Sequence, residues 1–511
     1  MRFIYQNHPI LAFVMRAGRC HWTRLIREGE SDMKTPIEYL DSLRALQRRV
    51  YLFGERLDYP NDHPLIKPST HAIAMTYQLA DAPEYRDLAT ATSPLTGAPI
   101  NRFTHLHQST DDLVKKVKLQ RVLGGKTAAC FQRCVGWDAL NALDSVTFEM
   151  DQALGTEYHR RLRRFLGHVQ ENDLVCDGAM TDVKGDRSLA PSAQADPDLY
   201  LRIVEQKPEG IIVRGAKAHQ TGIANSHEII VMPTATLREA EADYAVSFAV
   251  PVDTPGITII LGRQSCDTRL LEEGDMDAGN RQYGGHEGLV IFDNVLVPWE
   301  RVFLCREYQF AGPLVERFAA YHRQSYGGCK VGVGDVMIGA AALIAEYNGV
   351  ERASHIRDKL IEMAHLNETL YACGLACSLE GKAMTSGTFL VDLLLANVTK
   401  QNVTRFPYEI GRLLEDIAGG LLVTLPSEKD YRSSEVGPYI DKYLRGRADI
   451  PTEKRLRLLR FIENLTYGRA AISYRAESMH GAGSPQAQRI VIARQADLES
   501  KREMVRRLVG I

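Results

Sequence analysis

No uninterrupted apolar run in this sequence reaches eighteen residues, which argues against a membrane-spanning segment. Charge of one sign is not in excess either. Lys and Arg number 62 against 64 Asp and Glu, a formal net charge of −2, so the electrostatic footprint of a nucleic-acid binder is missing. The C-x2-C pairs and compact Cys/His blocks that usually build zinc sites do not occur. No glycine-rich phosphate loop stands between a strand and a helix, because HGAGS at 480–484 and KVGVGD at 330–335 both follow helical text. Internal repeats and low-complexity linkers are also absent. The nine cysteines are odd in number and scattered, which fits a reducing compartment such as the cytoplasm and not a disulfide framework.

What is present is an ordinary charged and apolar balance over 511 residues, enough for two or three domains. Residues 1–32 carry Arg2, Arg16, Arg19, Arg24 and Arg27 and no acidic residue before Glu28. They read either as a transit-like extension or as a misassigned start ahead of Met33. Their scarcity of serine and brief apolar stretch favour the second. Over 33–172 the pattern is helical, with Ile37, Leu40, Leu43 and Leu46 at steps of three behind the N-cap and first-turn pair Thr35-Pro36. Between 173 and 305 short β-type runs such as HEIIVMP and EGLVIFDNVLVPWERV predict an antiparallel barrel or sandwich. Helical periodicity returns over 306–511 and predicts an all-helical C-terminal domain.

Two tight pairs carry the chemistry: Cys130 and Cys134 in AACFQRCVGWD, and His322 and Cys329 in YHRQSYGGCKVG. In a helix, residues four apart share a face, so the first pair can reach one inorganic centre. Residues seven apart lie two turns along the same face. Gly327 and Gly328 predict a helix interrupted just before Cys329, with backbone close to a bulky group. The alternative is a set of inert buried thiols, since Cys373 and Cys377 repeat the C-x3-C spacing without a partner. Among metal readings an iron–sulfur cluster leads zinc.

The helix–β–helix layout resembles the acyl-CoA dehydrogenase architecture, with FDNVLVPWERV as its closing strand and IIVRGAKAHQTGIANS as its flavin-facing pair. From Met33 onward, RRVYLFGERLDYPNDHP, TDVKGDRS, EDIAGGLLVTLPSEKD and ESMHGAGSPQAQR are similar to the 4-hydroxybutyryl-CoA dehydratase/vinylacetyl-CoA Δ-isomerase family. That is a sister group of the flavin-dependent 4-hydroxyphenylacetate 3-monooxygenases. The resemblance implies an α+β fold with an N-terminal helical domain, a middle antiparallel β domain and a C-terminal helical bundle. It also implies a homotetramer that binds FAD, a [4Fe–4S] cluster and an acyl-CoA.

The implied ligands are Cys130, Cys134, His322 and Cys329; the monooxygenases lack the cluster. The implied reaction takes 4-hydroxybutyryl-CoA to crotonyl-CoA. The substrate is deprotonated at C2 and oxidised by one electron so that the C3 hydrogen becomes acidic, the C4 hydroxyl leaves as water, and the electron returns.

Within that frame His322 is ligand and base, and Tyr326, one turn on, is a hydrogen-bond donor or acid. Glu287 and Glu477 are carboxylate acid/bases. Their bland readings are a solvated loop glutamate and a surface helical one. Lys330 either neutralises cluster charge or snorkels to solvent. Thr181, Lys184 and Arg187, with His219 and Thr221, match the segments that line FAD. Gly419 and Gly420 resemble the glycine pair by which a neighbouring subunit approaches the cofactor; their bland reading is helix–helix packing. Two other functions compete: a reduced-flavin aromatic 3-monooxygenase, and a non-catalytic iron–sulfur redox sensor on the same fold.

Overall fold

Thr35 opens the first helix α1 (Pro36–Arg44) through a capping box. Its Oγ1 accepts from the Glu38 N–H at 3.3 Å, and the Glu38 carboxylate accepts from the Thr35 N–H at 2.8 Å. The computed structural model describes residues 33–265 and 267–511, so both readings of segment 1–32 lie outside the described residues. The buried stripe of α1 is Tyr39 and Leu43, whereas Ile37 is 70% exposed. A strict step of three drifts off one face of a helix with 3.6 residues per turn, which is why the expected Ile37 stripe is not the buried one.

The helical layer continues with α2 (Lys67–Asp81), α3 (Arg86–Ala89), α4 (Thr110–Thr127), α5 (Cys134–Leu154) and α6 (Tyr158–Glu171). Two short strands, β1 (Val50–Leu52) and β2 (Glu55–Leu57), leave this layer for the middle sheet, and the hairpin β3 (Thr90–Thr92) and β4 (Pro99–Asn101) pairs separately.

The middle region contributes β5 (Cys176–Ala179), β6 (Arg202–Lys207), β7 (Gly210–Thr221), β8 (Glu228–Val231), β9 (Val246–Pro251), β10 (Ile257–Leu261), β11 (Glu287–Pro298) and β12 (Val302–Cys305). They form a six-stranded sheet of order β2-β1-β10-β11-β7-β6 and a four-stranded sheet of order β12-β9-β8-β5. The sheets are mixed and not purely antiparallel, because β1 runs parallel to β10 and β5 parallel to β8. Each parallel pair is made by a strand entering from the helical layer, the long crossover that parallel pairing requires. Inward residues interlock across the sheets, with Phe248 and Phe292 edge-to-face at 6.0 Å. Each fully buried Val, Ile or Phe of this core contributes about 1.5–3 kcal/mol.

The C-terminal region is built on α7 (Ala311–Tyr347), α8 (Ser354–Leu379), α9 (Leu393–Val403) and α10 (Phe406–Ala418), followed by further helices. Contrary to the expected break, α7 runs unbroken through Gly327 and Gly328. Those glycines make room instead. A Cβ on Gly327 would come within 2.5 Å of the Gly374 Cα of α8, and one on Gly328 would collide with the Val117 carbonyl of α4. By length and composition α7 would also suit a bilayer, which a count of uninterrupted apolar residues overlooks. Most of its apolar window is buried, packed on α4, α5, α8, α9 and α10.

Two predictions follow from this packing. Gly332, whose Cβ would meet the Arg121 carbonyl, and Gly339, which has open space, stand on the same helix. Gly332→Ala should cost about 1–3 kcal/mol through overpacking. Gly339→Ala should gain up to about 1 kcal/mol from helix propensity. Denaturant midpoints read both, and equal effects would contradict the packing argument.

The second concerns Asp177 on β5, fully buried with neither carboxyl oxygen in a hydrogen bond of normal geometry; burial pushes its carboxyl up to about 8. A folded value above the unfolded one, about 3.9, gives stability that is full below about pH 4 and lost as pH rises towards 8. Relative to wild type, Asp177→Asn should therefore melt higher at pH 8 than at pH 5. A difference independent of pH would show that this carboxyl is not titrating.

Candidate active site

Three groups of residues meet at one place, each brought there by a different local device. The first is the loop 128–133 between α4 and α5. Ala128 (φ 50°) and Gln132 (φ 64°) take left-handed backbone there, and Cys134 opens α5. Cys130 is therefore not on a helix with Cys134, as the spacing suggested; the two are joined by a tight loop and a helix start. The Gln132 amide fixes that loop, donating to the carbonyls of Ser69 (3.3 Å), Cys130 (3.1 Å) and Gly284 (3.4 Å).

The second stretch is α7 itself, where His322, Tyr326, Cys329 and Lys330 follow at helical spacing. The His322 ring lies 5.2 Å from the Tyr326 ring, edge to face, and is stacked at 5.7 Å on Phe318. His322 Nδ1 is 2.8 Å from the Asp138 carboxylate. Asp138 is one turn beyond Cys134 on α5 and is in turn ion-paired with the buried Lys116 ammonium.

The third stretch combines 284–287 with a turn at 472–477. Within the helical periodicity read over 306–511, the text KRLRLLRFIENLTYGRAAISYRAESMH breaks after Thr466 and passes through a π-turn at Ile472–Ala476 before Glu477. Such turns often mark functional sites. A Cβ on Gly285 would stand 2.6 Å from Ser473 Oγ, 3.6 Å from Glu287 Oε1 and 3.7 Å from Cys130 Cβ, so the glycine is the point where these groups converge. Lys330 donates to the Ser473 carbonyl and lies 3.1 Å from the Glu477 carboxylate. It is buried and does not snorkel. A small cavity is bounded by Cys130, Cys329, Lys330, Ser473 and Tyr474.

Electrostatics tie the groups together. Burial pushes the Cys130 and Cys134 thiols well above the usual range, and Cys329 to about 11, against the pull of Lys330. Cys130 lies within electrostatic reach of Cys134 and Cys329, and Cys134 of Cys329 and Asp138. Glu287 is also driven well above the carboxylate range, first by burial and then by the charge and hydrogen bond of Glu477; an amide bond from Gln264 and the charge of Lys330 oppose this. One oxygen of each carboxyl, Glu287 Oε1 and Glu477 Oε1, lacks a donor. A single proton held between the two satisfies both. Cys373 and Cys377, by contrast, remain on α8; Cys377 is buried and donates to the Gly374 carbonyl at 3.2 Å.

The flavin-type segments lie edge to edge. Ala218 N–H donates to the Thr181 carbonyl at 2.8 Å, and the Lys217 ammonium is 2.9 Å from the Asp182 carboxylate. Lys184 (φ 76°) and His219 (φ 59°) are non-glycine residues in left-handed backbone, an arrangement that collects at functional sites. The His219 imidazole is held low by burial and by the nearby charges of Lys184 and His480. Thr221 pairs directly with Glu287 across β7 and β11, which joins this wall to the carboxyl pair. Arg187 lies exposed on the following loop. Gly419 and Gly420 are exposed at the end of α10, and a Cβ on either would meet nothing within 4 Å, so they do not pack helices together.

Residues 35–304 match the family model described as 4-hydroxyphenylacetate 3-hydroxylase N terminal, and 311–510 match its C-terminal counterpart. The chain is 62% identical over 488 residues to the 4-hydroxybutyryl-CoA dehydratase/vinylacetyl-CoA-Delta-isomerase of Clostridium aminobutyricum, covering 94% of this chain and 100% of that one. It is 26% identical over 442 residues to the oxygenase component of 4-hydroxyphenylacetate 3-monooxygenase from Thermus thermophilus, covering 85% and 88% of the two. Among solved structures, an oxygen-tolerant archaeal 4-hydroxybutyryl-CoA dehydratase from N. maritimus matches with a TM-score of 0.92 and 56% identity over 94% of this chain and 95% of that one. Fold and family models together define the 4-hydroxyphenylacetate 3-hydroxylase class. Within that class the chain belongs to the 4-hydroxybutyryl-CoA dehydratase/vinylacetyl-CoA isomerase family, and it is an enzyme, a lyase with isomerase activity.

The carboxyl pair can be tested without substrate. Glu477→Gln removes the charge that raises Glu287. In infrared difference spectra the protonated C=O stretch lost in Glu287→Gln should therefore disappear at lower pH in Glu477→Gln than in wild type. An unchanged midpoint would uncouple the two groups.

Proposed function

We propose that the enzyme dehydrates 4-hydroxybutyryl-CoA to crotonyl-CoA and isomerises vinylacetyl-CoA to the same product, using FAD and a [4Fe–4S] cluster in a cytoplasmic homotetramer. The observation that carries this reading is the meeting of three thiols, Cys134 buried and Cys130 and Cys329 half-buried, and a carboxylate-held imidazole with the hydrogen-bonded carboxyl pair of Glu287 and Glu477. The 62% identity to the Clostridium aminobutyricum dehydratase/isomerase supports the substrate. A related 4-hydroxyphenylacetate 3-monooxygenase component complexed with FAD, of the same fold at a TM-score of 0.83 and 24% identity, supports the flavin.

The residues present fit both groups. Cys130, Cys134 and Cys329 as thiolates, with His322 through Nε2, would hold the cluster. A coordinating metal would draw off the protons of thiols that burial holds above the usual range. Among the described residues no three His, Cys, Asp or Glu side chains stand close enough for a single ion. A cluster places each ligand on a different iron and does not require that convergence. Thr181, Lys184, Arg187, His219 and Thr221 would line FAD, and the open glycines Gly419 and Gly420 leave a surface that another subunit can approach. When bound, FAD supplies reversible one-electron oxidation, and the cluster supplies a Lewis-acidic iron for a departing hydroxyl.

The remaining work is proton traffic. Dehydration removes one hydrogen from C2 and one from C3, sends one proton out with the C4 hydroxyl as water, and returns the other to C4. The protein must therefore accept two protons and deliver two. His322, with Nδ1 held by Asp138, would serve as ligand and base at different moments, accepting a proton at Nε2 when that nitrogen is not holding the cluster. Glu287 and Glu477, sharing one proton, can give it up and take another. Lys330 keeps the pair oriented, and the Tyr326 hydroxyl is a donor beside His322. Isomerisation needs only the transfers at C2 and C4, so the same groups perform it without expelling water.

Anaerobically purified protein should contain iron, sulfide and FAD and should form crotonyl-CoA from 4-hydroxybutyryl-CoA. Cys130→Ala and Cys134→Ala should lose most iron and all dehydration while keeping FAD. Glu287→Gln should keep iron and lose about 100-fold or more in rate. Iron-free protein that hydroxylates a phenol with reduced flavin would instead establish the monooxygenase reading.

A further inference from the structure

Asp138 is the least expected residue of the site. It stands on α5 four residues after Cys134, with its side chain fully buried. One carboxylate oxygen accepts from the Lys116 ammonium; the other is 2.8 Å from His322 Nδ1 and 3.4 Å from the Ser325 hydroxyl. Lys116 is itself fully buried, donates to the Tyr321 carbonyl at 3.0 Å, and lies over the rings of Trp137 and Tyr321 at 5.5 and 5.4 Å. A buried carboxylate is costly unless paired, and here the pairing is complete on the side away from His322. The charge of Asp138 also reaches Cys134 and Cys329, so it acts on the thiols as well as on His322.

We propose that Asp138, fixed by Lys116, is the positioning residue for His322: it holds the proton on Nδ1 and so presents Nε2, unprotonated, to the cluster or to the substrate. This rests on the reading of His322 as a cluster ligand. An imidazole has two tautomers, and its partner at one nitrogen decides which lone pair the other offers. A carboxylate can only accept, so it permits one tautomer. An amide at the same position can turn its NH2 towards Nδ1 and leave the proton on Nε2, where it blocks ligation. Phe318, stacked on the imidazole, keeps the ring plane fixed, so the tautomer is the remaining freedom.

The test uses the anaerobic holoenzyme of wild type, Asp138→Asn and the double variant Lys116→Met/Asp138→Asn. The double variant removes the ammonium that the single change would strand in the core. A control, Asp144→Asn, alters another fully buried carboxylate of α5 that faces Arg163 and Thr388. Iron and sulfide per FAD are measured with the 15N-histidine hyperfine coupling of the reduced cluster. Wild type and Asp144→Asn should show the coupling. The folded Asp138 variants should keep FAD but lose the coupling, with iron retention or turnover reduced 10–100-fold.

Restoration by Asp138→Glu would add support, because a carboxylate would again be the acceptor. A cluster-loaded Asp138→Asn or double variant with wild-type coupling and turnover within twofold overturns the inference alone. A wild type that binds a cluster without histidine coupling overturns it together with the assignment of His322. A wild type that binds no cluster overturns the cofactor reading beneath both.

Discussion

The backbone-to-backbone contact of α4 with α7 is the constraint on which the site depends. Gly124 on one helix and Gly328 and Gly332 on the other carry no side chain where the two meet, and a Cβ on Gly124 would lie 2.5 Å from the Cys329 carbonyl. Helices normally pack 8–10 Å apart, with side chains between them. Removing those side chains lets the end of α4 arrive beside Cys329, and the loop that follows delivers Cys130 and Cys134 to the same place. Gly327 against Gly374 does the same for α8 on the other side. A helix held on both flanks has no freedom to slide, so the order His322, Tyr326, Cys329, Lys330 along α7 becomes a fixed set of positions in space.

Charge is managed on the same scale. Lys116, Lys217, Lys330 and Lys400 are all buried, and each ammonium donates to a backbone carbonyl, the first three also to a carboxylate. Lys400 lies over the Tyr326 ring at 4.8 Å and Lys330 at 5.3 Å, so two amino groups flank the phenol ring, and burial lowers that of Lys400 to about 7. Breaking one such buried pair typically costs about 3–5 kcal/mol, which makes these interactions a specification of geometry more than a source of net stability.

Much of this was legible in the sequence because it follows from local pattern. The N-cap and first-turn pair Thr35-Pro36 and the period change near 173 are short-range signals, and so is the two-turn spacing of His322 and Cys329. What escaped were tertiary causes. A glycine pair reads as a break when only the helix is considered, and as a groove when a second helix presses on it. The parallel pairings of β1 and β5 join distant segments, and no local alternation predicts them. Asp138 had a signal, a second step of four that continues the spacing of Cys130 and Cys134, but its meaning depends on His322 arriving from α7. Glu477 was legible as a candidate carboxylate, but a regular helix left its surface reading open, and the π-turn that brings it inward has no local signal. The open setting of Gly419 and Gly420 likewise becomes visible only once their surroundings are known.

The turn that places Glu477 shows how local irregularity is offset by function. Widening a helix to a π-turn at 472–476 gives up regular hydrogen bonds, and the one residue inserted rotates everything after it by about 100° around the axis. That rotation turns the Glu477 carboxylate to Lys330 and Glu287, and it leaves the Ser473 carbonyl free to accept from Lys330. Each charge-assisted bond of this kind contributes about 1.5–3 kcal/mol, comparable to what the irregular turn forgoes. Both bonds require Lys330 to be present and charged. The lysine next to Cys329 thus fixes two parts of the site at once, the thiol on its own helix and the carboxyl pair across the cavity.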